Sequence, residues 1–464
     1  MKFRLNSPNL AFLLVLPVFS YINLRAWFLA FTYDESWTFL GYATEDFWKV
    51  VTNEFPAANN HVLHSLIMGW VYELFGQQEY ILRLPVLLSF VVFAYFSYEI
   101  SKSLSKKMWW LPFIMVIYQP YLLDYFVAAR GYALALAFMM GAIYFLFRFS
   151  KQLRLKWAWY SLIFAALAAY SNFTYLLLFI AISMGVTLLG FTQKKKFGAM
   201  LPVVTIGSIL GLMVYIPITQ LIMAKELYYG GEDGFFEDTL MTLARSFIYG
   251  YSESNVLAWV FVLIIALAGV FAMQKLFLKA KLSMGFWIAF ILIIIEIGSI
   301  LQHHLLDSPY LIDRTAIFFI PLILFACSWI VFQFKESIIR NIVAFMFVGL
   351  SILNLLIAVN FSYLLDFKEH SDTKSAMLLI ANDQDLPEDG FVLGKSIYMN
   401  ATVNFYRVKL GLERIEQSGL EFCEETEKTK YYYLFEKDIS CLENKDVELM
   451  QYFPVSETYL YRSL

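Results

Sequence analysis

Apolar runs of about twenty residues recur along the first 360 positions, and no other feature constrains the fold of this chain as strongly. A helix of roughly 20 residues crosses the ~30 Å hydrocarbon layer of a bilayer. Within that layer no water can pair with backbone amides, so each run must satisfy its own hydrogen bonds as a helix. The runs lie near 9–31, 81–101, 109–124, 131–149, 157–171, 173–192, 200–223, 255–273, 283–301, 314–333 and 341–362. An all-α polytopic membrane protein of about eleven spans is therefore expected. Composition excludes a soluble globule of this size: 60% of the 464 residues are hydrophobic and only 16% are charged. The first run is too long for a signal peptide and lacks a small-residue cleavage site, so it reads as a retained first span.

Charge alternates in sign from one connection to the next. Lys2/Arg4, Lys102/Lys106/Lys107, Lys151/Arg154/Lys156, Lys194/Lys195/Lys196, Lys275/Lys279/Lys281 and Lys335/Arg340 occupy one set. Asp34, Glu35, Glu45, Asp46, Glu54, Asp124, Glu226, Glu232, Asp233, Glu237, Asp238 and Asp307 occupy the other. Lys and Arg accumulate in short cytoplasmic loops, so the first set is expected inside and the second outside. This puts the N-terminus in the cytoplasm and the C-terminal tail on the outer side, with the bacterial inner membrane as the expected location.

The organisation expected is a transmembrane module over 1–362, with a long first outer loop at 32–80, followed by a small extracytoplasmic α/β domain over 363–464. Within the loop, Glu45–Val51 and Val62–Phe75 carry apolar residues at helical spacing, as interfacial helices do. In the tail, Gly390–Lys395, Tyr431–Glu436 and Glu457–Arg462 alternate like strands, and Asp372–Asn382 and Asn400–Lys409 are patterned as helices. Three cysteines exclude a disulfide scaffold. Cys327 falls in an apolar run and reads as core, while Cys423 and Cys441 in the tail could pair in an oxidising compartment.

Several polar clusters are candidates for chemistry. Asp34-Glu35 follows the first span, where a carboxylate against apolar surface can serve as a general base; a solvated helix end is the plainer alternative. His61 and His64, spaced i, i+3, share a helical face and could bind a metal, so a divalent cation stays open and no cofactor is certain; a polar cluster at a helix start, capped by Asn, is the alternative. Asp124 and Arg130 flank an outer turn; Arg130 could grip a lipid phosphate or pair with Asp124. Arg314, at a helix entry before Pro321, is a second candidate clamp, and Arg245 is a further outer cation. His303 and His304 read as interfacial residues.

Taken together, these segments resemble the GT-C superfamily of membrane glycosyltransferases, especially bacterial relatives of the protein O-mannosyltransferases and of the lipid A aminoarabinose transferase. The likeness is carried by Asp34-Glu35, by Asn59–His64, by Leu82-Arg83-Leu84-Pro85, by Ala129-Arg130-Gly131-Tyr132, and by Arg314 through Pro321. The chain departs from the family pattern in two places: His61-Val62-Leu63 stands where His-Pro-Pro is frequent, and Thr315 follows Arg314 where Tyr is usual. The resemblance implies a sugar on a polyprenyl phosphate as donor, transferred with inversion on the extracytoplasmic side. The acceptor would be a protein, a lipid or a glycan; the bilayer is a partner and nucleic acid is not. It implies Asp34 as the base, with Glu35 and Asp124 as further catalytic carboxylates. Arg130, Tyr132, Arg314, Arg245, His61 and His64 would bind substrate. The rival reading is a lipid or solute transporter, which would place ionisable groups at mid-membrane. The spans here are nearly free of charge apart from Glu99 and Glu296, and the ionisable residues gather at one outer face.

Overall fold

The computed structural model describes residues 7–192, 196–251, 255–278, 282–387, 389–416 and 429–464. Lys2, Arg4, Lys194, Lys195, Lys279, Lys281 and Cys423, used above for orientation and for the proposed cysteine pair, lie outside the described residues, as does the side chain of Lys196. The chain divides into two compact units. One comprises Met1–Asn23, Phe47–His64 and Pro85–Val359; the other comprises Leu24–Asp46, Ser65–Leu84 and Asn360–Leu464.

The first unit is helical. Each expected span contains helix, and among the described residues eight of the helices are long and apolar enough to cross a membrane: Ser7–Phe28, Glu79–Leu104, Gly131–Gln152, Phe173–Thr192, Gly198–Met223, Asn255–Phe277, Met284–Leu306 and Ile338–Ala358. The other three expected spans correspond to shorter helices. At 109–124 the chain forms Trp110–Ile117 and then Pro120–Tyr125, because Pro120 cannot continue a helix but can start one, with Gln119 capping it. Leu155–Ser171 and Phe319–Val331 fill the regions at 157–171 and 314–333. Small residues let neighbouring helices approach closely, as in membrane bundles. A Cβ on Gly285 would stand 2.1 Å from the Trp329 ring. Side chains such as Leu212, Val256, Phe345 and Ile357 are exposed on the outside of the helices. Such a continuous apolar exterior requires lipid as its solvent, and the protein is an integral membrane protein.

The second unit carries a five-stranded mixed sheet: β1 (Phe391–Lys395), β2 (Ile415–Glu416), β3 (Thr429–Phe435), β4 (Val447–Phe453) and β5 (Thr458–Ser463), in the order β2-β1-β3-β5-β4. The strands β2, β1 and β3 run parallel, and β5 pairs antiparallel with both β3 and β4. The helices Thr373–Ala381 and Asn400–Lys409 belong to the same unit. The Asn400–Lys409 helix packs on the short helix Tyr33–Thr38: Phe405 stacks on Phe31 with ring centres 4.5 Å apart and meets Phe39 edge-on at 5.4 Å. The Phe31 N–H donates to the Tyr406 hydroxyl at 2.8 Å. Glu79 collects the Tyr406 hydroxyl and the ammonium groups of Lys374 and Lys409. The residues just after the first span are thus built into the core of the C-terminal unit.

Candidate active site

The acidic pair is set by a local device. Thr32 caps the Tyr33–Thr38 helix by accepting the Glu35 N–H at 3.2 Å, and the Glu35 carboxylate accepts the Thr32 N–H at 2.9 Å. This reciprocal capping box satisfies two backbone donors that a helix start leaves open. It also points the two neighbouring carboxylates to different environments. Glu35 is fully buried, and Arg83 holds it in a fork, Nε to Oε1 and NH2 to Oε2, each at 2.8 Å. Arg83, equally buried, spends its remaining donors on the carbonyls of Ala26 (3.1 Å), Leu29 (2.8 Å) and Ala30 (2.8 Å). It therefore ties the end of the first span to the acidic pair. Asp34, one residue earlier, remains half-buried. Arg83 was legible in the sequence only as the opening of the second span, although Thr32-x-x-Glu35 is a readable capping signature.

In the helical unit, other expected site residues gather where the Gly131–Gln152 helix begins. Arg130 is its N-cap residue, nearly fully buried, and donates from NH1 to the Asn59 carbonyl at 2.9 Å. Gly131 has no room for a side chain: a Cβ there would lie 2.0 Å from the Ser171 carbonyl oxygen and 2.7 Å from the His61 Cβ. His61 contacts the Ser171 carbonyl through Nδ1 at 3.1 Å, and its ring sits 4.9 Å from that of Tyr132, which in turn meets Tyr125. His64 is fully buried, with no hydrogen-bond partner for either ring nitrogen; His61 Nε2, Asn172 Nδ2 and the Tyr175 hydroxyl also lack partners within the protein. Each such group left dry costs about 1–3 kcal/mol.

The electrostatics follow from burial and from two guanidinium groups. Burial, then the charge of Arg130, holds the His61 ring well below its ordinary value, and His64 and Arg314 add to the effect. Burial, then Arg130, pushes His64 down to about 3. Both rings are neutral at physiological pH. A histidine whose folded value is lowered favours the folded state only while it stays uncharged. Stability is therefore complete above about pH 6.5 and falls as pH drops from there toward 3, because the unfolded chain takes up protons that the folded one refuses. His64→Leu should flatten the fall in Tm between pH 7 and 5, measured in detergent; equal slopes for variant and wild type would remove His64 from this account.

The remaining candidates have separate settings. Asp124, on the Pro120–Tyr125 helix, is buried and accepts the Tyr249 hydroxyl at 3.2 and 3.1 Å on its two oxygens. Arg314 lies 4.5 Å over the Tyr229 ring and donates to its hydroxyl at 3.2 Å. Arg245 is exposed on the Met241–Phe247 helix. His303 stacks on Tyr310 at 4.2 Å. Asp34 and Glu35 belong to the C-terminal unit, and Arg130, Tyr132, His61, His64, Arg314, Arg245 and Asp124 to the helical one. Among the described residues no group of three or more His, Cys, Asp and Glu side chains is arranged to hold a metal.

No protein-family model and no curated protein matches the sequence. Solved structures do match over the full length. The aminoarabinose transferase ArnT from Cupriavidus metallidurans in the apo state superposes with a TM-score of 0.56 at 10% identity, covering 99% of this chain and 98% of that one. The fold is that of ArnT. A second ArnT structure from the same organism, bound to undecaprenyl phosphate, gives a TM-score of 0.57 at 10% identity and covers 99% of each chain. The ArnT likeness includes the C-terminal unit, since almost nothing of either chain lies outside it. The architecture expected from the sequence, a polytopic helical module with a small C-terminal α/β domain, is the one observed.

Proposed function

We propose that this chain is a membrane glycosyltransferase that takes its sugar from a polyprenyl-phosphate donor. Fold alone does not carry an activity. The observation that does is the buried Arg130 at the start of the Gly131–Gln152 helix, with Arg314 in electrostatic reach of the same His61. A helix N-terminus and buried guanidinium groups bind anions, and a lipid phosphate is the anion that a membrane-embedded site meets. The structural neighbour bound to undecaprenyl phosphate supports this choice of ligand. Arg130 and Arg314 would hold the phosphate and stabilise its charge as it departs. Asp34 would accept the proton of an acceptor hydroxyl; the hydroxyl oxygen would attack the anomeric carbon as the bond to the phosphate oxygen breaks, inverting that centre. Glu35 would hold Asp34 in place through the capping box, and Asp124 would support the turn that leads to Arg130. The alternation of basic and acidic loops supports an extracytoplasmic site and a cytoplasmic N-terminus. Mass spectrometry of lipid co-purified with the full chain should find a polyprenyl phosphate or its sugar conjugate. Recovery of phospholipid only would count decisively against this reading.

A further inference from the structure

The short turn between the Leu155–Ser171 and Leu176–Thr192 helices contributes two polar groups, and positions a third, that the phosphate reading leaves unused. Asn172 accepts the Thr174 N–H at 3.0 Å and the Thr174 hydroxyl at 2.9 Å on Oδ1, which fixes its amide and leaves Nδ2 without a partner. The Tyr175 hydroxyl, fully buried beside Phe318, has no partner either. The Ser171 carbonyl, one residue before Asn172, determines the third group. A carbonyl can only accept, so the His61 Nδ1 facing it must carry the hydrogen. The ring is neutral, so Nε2 is a bare lone pair, buried and unpartnered. The set therefore offers one amide NH2 with two N–H donors, one hydroxyl that can donate or accept, and one pure acceptor, all on residues 6% exposed or less.

This combination does not suit a phosphate dianion, which has no hydrogen to give to the Nε2 lone pair. It suits hydroxyl groups, each of which donates once and accepts through its lone pairs. The ring of Tyr132 beside His61 adds an aromatic surface of the kind that the apolar face of a sugar covers. The same donor and acceptor chemistry narrows the class further: an ammonium group has hydrogens but no lone pair, so it cannot accept from Asn172 Nδ2. Resting on the polyprenyl-phosphate reading above, we infer that Asn172, Tyr175 and His61 form the subsite for the donor's sugar, and that this sugar is neutral and hydroxylated, not a cationic amino sugar.

Calorimetry on the full chain in detergent tests this with four probes: farnesyl phosphate, its glucose conjugate, its mannose conjugate, and its 4-amino-4-deoxyarabinose conjugate. The wild type should bind a neutral conjugate more tightly than farnesyl phosphate, and the amino conjugate less tightly than the neutral one. Tyr175→Phe, and Asn172→Asp, which keeps the capping oxygen but exchanges the donor for an acceptor, should each weaken the neutral conjugate about 10-fold while leaving farnesyl phosphate within about 2-fold. Because the Tyr175 hydroxyl makes no bond in the unliganded protein, Tyr175→Phe should not lower Tm. A fall in Tm with unchanged affinity would assign that residue to packing and overturn the proposal. Equal weakening of all probes, or tightest binding of the amino conjugate, would overturn it as well. Failure of the wild type to bind farnesyl phosphate at all would instead bring down the underlying donor reading.

Discussion

Asp34→Asn is expected to reduce sugar transfer by roughly 10²–10⁴-fold, the usual contribution of a positioned general base, without loss of fold. The substitution keeps size and shape and removes the negative charge and with it the ability to take up a proton. The Thr32–Glu35 capping box and the Arg83 fork on Glu35, which organise this segment, remain in place. Transfer assayed with a polyprenyl-phosphate sugar should therefore collapse while Tm in detergent and the content of co-purified lipid stay at wild-type values. A purified Asp34→Asn variant with normal turnover would eliminate Asp34 as the base. Glu35→Gln makes an informative contrast. It weakens a buried charge pair, so its loss of activity should come with a lowered Tm.

Arg83→Met is expected to destabilise the protein by about 3–5 kcal/mol, the largest structural effect foreseen for a single side chain here. Both partners of the Arg83–Glu35 pair are completely excluded from solvent, so no screening reduces the penalty. Removing the guanidinium strands the Glu35 carboxylate in a low-dielectric interior. It also withdraws donors from three carbonyls at the end of the first span, Ala26, Leu29 and Ala30. The Phe31 ring, which lies 5.1 Å from the guanidinium, loses a cation–π contact as well. Thermal unfolding in detergent should show the fall in Tm, and Arg83→Met combined with Glu35→Leu should recover a large part of it, since a buried pair can be replaced by apolar side chains at little net cost. If the double variant is no more stable than the single one, the loss lies in the carbonyl contacts and not in the stranded charge.

Most of the architecture was legible because hydrophobic periodicity is local. The helix at Val62–Phe75 begins and ends where its pattern does, and the Asn400–Lys409 helix likewise. Strands β1, β3 and β5 fall within a residue or two of the alternating segments that announced them. Two strands were missed for physical reasons. Strand β2 is two residues long, too short to show alternation. Strand β4 carries an irregularity between Leu449 and Gln451 that shifts its register, and it lies at the sheet edge where both faces are partly wet. At 109–124 an apolar run hid the break that Pro120 imposes.

The site was legible in a more limited way. Asp34, Arg130, His61 and Arg314 stand out in sequence as polar groups at the ends of apolar helices, but Asn172 and Tyr175 had no signal beyond a polar interruption at Tyr170–Asn172. Their unpartnered atoms exist only once the turn closes beneath His61 and Gly131.

The sequence by itself determined where the apolar helices lie and placed a carboxylate pair directly after the first, because spans and capping signatures depend on residues within a few positions of one another. Only the tertiary structure decided which carboxylate is committed and which remains partly accessible. Glu35 is claimed by Arg83, 48 residues away, and Glu79 by Lys409, 330 residues away. Ion pairs of that range depend on how the chain packs, and packing is a property of the whole molecule that no window of sequence contains.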